Sequence, residues 1–293
     1  MNRLDPAERL GAHVSSRGGV HKAPVRGKAI GATAIQVFTK TPSQWREPVT
    51  ADDSCSAFRR ECERFQFSSI VAHDSYLINL ASPDPALSTR SETAFTAELQ
   101  RCEAYHIHYL VSHPGNYMDS RDAGLTRNAA AYTRCLRAVP GSTVVLLETT
   151  AGCGTALGRT FEELAILRDL IGDDVRHRVA FCADTCHLYS SGYDLVGDYD
   201  GVWRRWEEVL GFDALHCIHL NDSKTPFASC RDRHELIAEG TLGAPPFRRI
   251  MTDPRFARTI TILETPKGKD EVTADRKMLR RLRAYARGSH RKR

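Results

Sequence analysis

Two hydrophobic periodicities alternate along the chain. Short aliphatic and β-branched runs recur at 9–15, 34–40, 69–73, 108–113, 144–148, 179–184, 215–220 and 259–264. Their length and composition predict eight strands. Between them, apolar residues recur at helical spacing. Leu87, Phe95, Leu99 and Cys102 share one face of a segment opened by Asp84 and Pro85, an N-cap followed by proline at the first helical position. Leu125, Ala129, Tyr132, Leu136 and Val139 form a second stripe. Thr160 through Glu163 reads as a capping box whose helix stops at Gly172. Strand and helix alternating eight times, without a low-complexity linker, predict a closed parallel (β/α)8 barrel. The chain reads as one domain over 1–293, with a core of about 9–287 and a basic tail at 288–293. A doubly wound open sheet is the alternative, disfavoured because no glycine-rich phosphate loop follows an early strand.

Composition narrows the class. Apolar residues make up 41% of the 293 positions, enough for a large core, yet no apolar run reaches the roughly eighteen residues of a membrane span. The first ten residues include Asp5 and Glu8 and hold no apolar stretch, so no secretory leader is expected. Nine cysteines, an odd number, read as reduced thiols and a cytoplasmic location. A net charge of +5 suits a phosphate-bearing partner but decides little. The arginines between Arg276 and Arg293 read as a solvated helix face and tail rather than a DNA-binding arm.

The chemistry lies at the strand ends. Catalytic groups of a (β/α)8 barrel stand at the carboxyl ends of its strands. Six consecutive predicted strands end in His73, His113, Glu148, Asp184, His219 and Glu264, and His187, Asp232 and His234 follow in the loops. A lone histidine there is more often a satisfied core residue than a ligand. Nine such groups around one mouth are another matter, because crowded carboxylates repel unless cations intervene. Imidazoles mixed with carboxylates suit zinc, and also manganese or iron, whereas carboxylates alone would suit magnesium. Nine donors exceed the needs of one ion, so two or three are implied. Adjacent ions of this kind hydrolyse phosphodiesters.

Three longer segments carry a resemblance: His73-Asp-Ser-Tyr-Leu-Ile-Asn-Leu-Ala81, Asp184-Thr-Cys-His187, and the stretch from His219 through Asn221, Asp222 and Lys224 to Asp232 and His234. They resemble, in order, the signatures of the endonuclease IV family of AP endonucleases, and the similarity runs from Gly11 to Gly268. The resemblance implies a xylose-isomerase-like TIM barrel and three zinc ions, with manganese as a substitute. It places the first ion on His73, His113 and Glu148, and a second on Asp184, His219 and Glu264, with Glu148 bridging. His187, Asp232 and His234 would hold the third. Glu148 and Glu264 become the catalytic carboxylates.

The implied activity is hydrolysis of the phosphodiester 5′ to an abasic site in duplex DNA, by a zinc-activated hydroxide, leaving 3′-hydroxyl and 5′-deoxyribose phosphate ends. The enzyme is expected to act as a monomer, away from membranes. Tyr76 and Leu77 match the family's minor-groove wedge. Gln44 and Arg46 belong to a second DNA-facing loop, in which Ser43 stands where arginine is common, so that one minor-groove contact is either lost or supplied by Arg46. Lys224 and Arg233 are expected on phosphates, with Lys40, Arg231 and Lys267 as further candidates. His13 reads as a partner of the ligands rather than a tenth one, and Cys182, Cys186 and Cys217 as small buried residues. Ala180 and Ala183 depart from the family beneath the site, as do Glu235 and Ala238 in the loop after His234.

The rival reading is a metal-dependent sugar isomerase or epimerase on the same kind of barrel. The trio His187, Asp232 and His234 and the Tyr76–Leu77 pair discriminate, since isomerases need neither. A non-catalytic DNA-binding relative is disfavoured by the complete ligand set.

Overall fold

The structure, a computed structural model, describes residues 6–288. Eight parallel strands close a barrel in sequence order: β1 (Leu10–His13), β2 (Ala34–Phe38), β3 (Ser69–His73), β4 (Tyr109–Ser112), β5 (Val144–Glu148), β6 (Val179–Asp184), β7 (Leu215–Leu220) and β8 (Ile260–Leu263), which pairs back to β1. Four strands keep the predicted bounds. β1, β2, β4 and β8 are shorter, because Lys40, His113 and Glu264 lie beyond the last ladder pair, where the chain turns into the mouth. Around them run α1 (Ala23–Ile30), α2 (Asp52–Phe65), α3 (Pro85–Tyr105), α4 (Arg121–Ala138), α5 (Phe161–Leu170), α6 (Asp173–Arg176), α7 (Thr185–Ser191), α8 (Tyr199–Val209), α9 (Ala244–Ile250) and α10 (Glu271–Gly288).

Local grammar explains the helix starts. Asp84 accepts from the N–H groups of Ala86 and Leu87, with Pro85 opening α3, so the orphan donors of the first turn are met. Thr160 accepts from Glu163 N–H at 3.2 Å, while the Glu163 carboxylate accepts from Arg159 N–H at 2.9 Å. The box therefore reaches one residue further back than the usual motif. Its helix ends at Leu170, two residues before Gly172, which opens α6 instead.

Side chains alternate across each strand, so residues two apart share a face. Ala34, Val71, Val111, Leu146, Ala180, Cys182, Cys217, Ile260 and Ile262 point inward and fill the lumen. The larger cluster, with Phe95, Tyr132, Phe161, Trp203 and Trp206, lies between strands and helices. Ala180 faces the lumen as expected, but Ala183 belongs to this outer layer, since an odd offset reverses its direction. Between β6 and β7 the register shifts so that Phe181 opposes Leu215 and Cys182 opposes Cys217. Gly11 allows β1 to approach β2, because a Cβ there would meet the Ala34 carbonyl oxygen at 1.8 Å.

α10 closes the barrel, and its arginines do more than face solvent. Arg276 and Arg283 donate to the carbonyls of Ala29 and Gly31 at 2.5 and 2.6 Å, and Arg281 donates to Ile237. The first two bonds satisfy carbonyls left free at the end of α1. Except for Gly288, the basic tail lies outside the described residues. Among the described residues, no helix is long and apolar enough to cross a membrane.

Candidate metal centre

The inward parity continues upward into the site. Two residues beyond Val71, Val111, Leu146 and Cys217 stand His73, His113, Glu148 and His219; Asp184 follows Cys182, and Glu264 follows Ile262. The pleat therefore delivers six polar side chains above an apolar plug. His187 arrives by a different route. Asp184 ends β6 and is also the N-cap of α7, its Oδ1 accepting from His187 N–H at 2.9 Å. One carboxylate thus faces the mouth and fixes the helix that carries the histidine. A two-residue antiparallel ladder, Asp222–Ser223 with His234–Glu235, brings back His234. Buried Asp222 pins this loop by accepting from the N–H groups of Ser223, Gly240 and Leu242 at 2.8–3.1 Å. This ladder has no counterpart in the sequence reading, because two-residue strands leave no periodic signal.

The nine groups gather into three sets whose ligand atoms lie within 4.8 Å of one another: His73, His113 and Glu148; Glu148, Asp184, His219 and Glu264; and His187, Asp232 and His234. Glu148 is common to two, with Oε2 at 3.2 Å from His73 Nε2 and 2.9 Å from His113 Nε2, and Oε1 at 2.9 Å from His219 Nδ1. Asp232 spans the third, at 3.2 Å from His187 Nε2 and 3.1 Å from His234 Nε2.

The partners behind these groups aim them. Nδ1–H of His73, His187 and His234 faces the carbonyls of Asp74, Thr149 and Glu264 at 3.0, 2.8 and 3.2 Å. With that nitrogen donating, each Nε2 lone pair is directed at the carboxylates. His219 is reversed: its Nε2–H faces Gln36 Oε1 at 2.8 Å, and Nδ1 faces the mouth. Gln36 Nε2 in turn donates to Glu264 at 2.5 Å. Asn221 donates to Asp184 Oδ2 at 2.6 Å and accepts from Glu264 N–H at 3.0 Å. His13 lies 3.3 Å from Glu264 and 3.0 Å from Gln36 and enters none of the three sets. Sequence reasoning gave Gln36 and Asn221 no role. The signal for Gln36 was its parity, two residues beyond inward Ala34.

The donor set fits divalent cations. Nε2 of His187 and of His234 are buried and lack a hydrogen-bond partner among the described residues, which is costly for lone pairs aimed at a carboxylate. Protein groups alone can balance this charge only by protonating imidazoles. Burial draws His73 and His234 down, yet the carboxylates around them outweigh it and hold both at about 9. His187 and His219 rise well above the ordinary range for the same reason. Burial pushes Glu148 up, but His219 and His113 hold it well below the carboxylate range. A mouth that holds Glu148, Asp232 and Glu264 ionised only against positive charge suits cations.

The rim shows what could meet a ligand. Tyr76 is 69% exposed beside His73, its ring leaning edge-on against Phe38 at 5.1 Å, and Leu77 is half-buried. Gln44 and Arg46 line a cleft of about 1080 Å³ that runs from His13 along the loop after β2. That loop is anchored from beneath: Glu47 accepts from Lys40 at 2.6 Å and from Arg101 at 2.5 Å, and Arg90 stacks on Trp45 at 4.5 Å. Lys40 is thus withdrawn from phosphate contact, with only 1% of its side chain exposed, because its charge is spent holding the loop. Lys267 is paired with Asp275 at 2.6 Å. Lys224, Arg231 and Arg233 are exposed on the loop that carries Asp232. Ala238 has φ 62°, a left-handed conformation in which glycine is more comfortable. Cys182, Cys186 and Cys217 are fully buried.

A family model described as xylose isomerase-like TIM barrel matches residues 26–284. A probable endonuclease 4 of Geobacter sulfurreducens is 46% identical over 266 residues, covering 89% of each chain. One from Chloroflexus aggregans is 44% identical over 284 residues, covering 95% of this chain and 98% of the relative. The crystal structure of endonuclease IV from Thermus thermophilus superposes with a TM-score of 0.86 at 32% identity, covering 96% of this chain and 99% of that one. D-psicose 3-epimerase from Clostridium cellulolyticum, at a TM-score of 0.64 and 14% identity, shares the fold alone. By sequence over nearly its whole length and by its barrel, the chain belongs to the endonuclease IV family of xylose isomerase-like TIM barrels.

Proposed function

We propose that this protein is a zinc-dependent AP endonuclease that hydrolyses the phosphodiester 5′ to abasic sites in duplex DNA, leaving 3′-hydroxyl and 5′-deoxyribose phosphate ends. The observation that carries the reading is the convergence of nine ligand-type side chains into three sets at one mouth, two of whose imidazole nitrogens are buried without a hydrogen-bond partner among the described residues. Endonuclease 4 relatives with 44–46% identity support the substrate class.

His73, His113 and Glu148 would hold one zinc ion, Asp184, His219, Glu264 and the shared Glu148 a second, and His187, Asp232 and His234 a third, with manganese as a substitute. Zinc in such sets supplies Lewis-acid charge for a phosphate and activates water at neutral pH. The protein's own groups do the positioning. Glu148 spans two sets, Gln36 and His13 fix the Glu264 carboxylate, and Asn221 ties Asp184 to Glu264. Tyr76 and Leu77 offer an aromatic and an aliphatic face to the bases flanking a missing one, where little stacking must be broken. Gln44, Arg46, Lys224 and Arg233 line the approach and would contact the backbone.

The test is incubation of zinc-replete protein with an end-labelled duplex holding one abasic analogue. Scission on its 5′ side, with a 3′ end that a polymerase extends directly, is the expected result. An intact duplex, or a product that needs 3′ trimming before extension, contradicts the proposal.

A further inference from the structure

Of the nine cysteines, seven are buried. The other two, exposed Cys153 and half-buried Cys230, meet although 77 residues separate them in sequence. Cys153 lies in the loop after β5, and its thiol donates to the Cys230 carbonyl at 2.8 Å. Cys230 has φ 52°. In this left-handed conformation Cβ lies close to the residue's own carbonyl oxygen, so the Cys230 side chain starts from the side that Cys153 already touches. Its loop is seated on α7, Ala228 and Cys230 donating to the carbonyls of Tyr189 and Ser190 at 3.1 and 2.9 Å. Two residues further on comes Asp232.

We propose that Cys153 and Cys230 are a modification site: a pair that peroxide-class oxidants convert to a reversible disulfide, clamping the loop that carries Asp232 and His234 to the loop after β5. Exposed Cys153 reacts first. Its sulfur attacks one peroxide oxygen, the O–O bond breaks, and the thiol proton leaves with the departing oxygen as water. The Cys230 sulfur then attacks the sulfenic sulfur, forming S–S and releasing the second water. Two thiols lose two electrons and two protons, and one peroxide becomes two waters. A dithiol reductant reverses the step by exchange. The consequence for the metal rests on the proposed role of Asp232 and His234: the clamp slows opening of that loop and so slows loss of the ion it covers.

The experiment treats zinc-loaded full-length protein with hydrogen peroxide, alkylates remaining thiols, and maps linked peptides by mass spectrometry. A Cys153–Cys230 linked peptide within one chain is expected, absent in Cys153→Ser and lost after dithiothreitol. Zinc release to a chelating dye should be several-fold slower for the oxidised than the reduced wild type, with no such difference in Cys153→Ser. Both cysteines remaining alkylatable, oxidation stopping at the sulfinic acid, or a covalent dimer on a non-reducing gel would overturn the pair. A linked peptide with unchanged zinc release would overturn the clamp. A linked peptide in protein that retains no zinc at all would count against the metal reading and leave the disulfide standing.

Discussion

At the scale of single residues, the site is organised by what stands behind the ligands. Glu264 is held by Gln36, His13 and the His219 Nδ1 at 2.5, 3.3 and 3.2 Å, so Glu264→Gln keeps the shape while removing a charge. Cleavage should fall by about 10²-fold or more, with affinity for abasic duplex nearly unchanged; single-turnover rates and binding titrations would separate the two. Protonation provides a second check. In chelator-stripped protein, His73 and His234 hold protons up to about pH 9 because carboxylates surround them. Zinc must displace those protons and the ones that His187 and His219 hold for the same reason, so affinity should still be rising with pH as it passes about 9, and loading at pH 7 should release protons. Calorimetry in two buffers of different ionisation enthalpy measures this directly, and a heat independent of buffer would contradict it. The nine candidate ligands stand out in the sequence by type, as His and carboxylates at strand ends and in the loops beyond, and the fold brings them to one mouth. Gln36 and Asn221 do not stand out, because amides in strands look like ordinary polar positions until parity and register are known.

At the scale of elements, the proposed function would divide contact with DNA among the loops after β2, β3 and β7. The loop after β3 reaches Tyr76 three residues beyond His73 and leaves it exposed, its ring edge-on to Phe38. Truncating both Tyr76 and Leu77 to alanine should lower affinity for abasic duplex about tenfold, the scale of one lost base–aromatic contact, and shrink the preference over intact duplex. Zinc content should stay the same. Titrations of both duplexes at one fixed salt concentration decide it, since backbone contacts alone are salt-dependent and sequence-blind; an unchanged affinity ratio would reduce the pair to loop packing. In the loop after β2, Lys40 illustrates what sequence position hides. A lysine beside a strand end reads as a phosphate contact, but only the tertiary structure reveals Glu47 pairing with it and with Arg101.

At the scale of the whole molecule, eight apolar runs sufficed to predict the barrel, because parallel strands covered on both faces are apolar along most of their length. Their ends were less legible: Lys40, His113 and Glu264 continue the pattern of residue types while the backbone has already left the ladder. The basic stretch of α10 reads as solvated in the sequence, yet several of its arginines bind carbonyls at the end of α1 and at Ile237, contacts between segments more than 40 residues apart that no local pattern encodes. The barrel and its convergent mouth lead to one central claim, that a multi-zinc centre cuts DNA at abasic sites. The measurement that bears on it most directly is a titration of chelator-stripped protein with zinc, following scission of an abasic duplex against metal equivalents per chain. The account predicts cleavage on the 5′ side of the lesion that rises to a plateau near three equivalents. A plateau at one equivalent, or no scission at any loading, would contradict it.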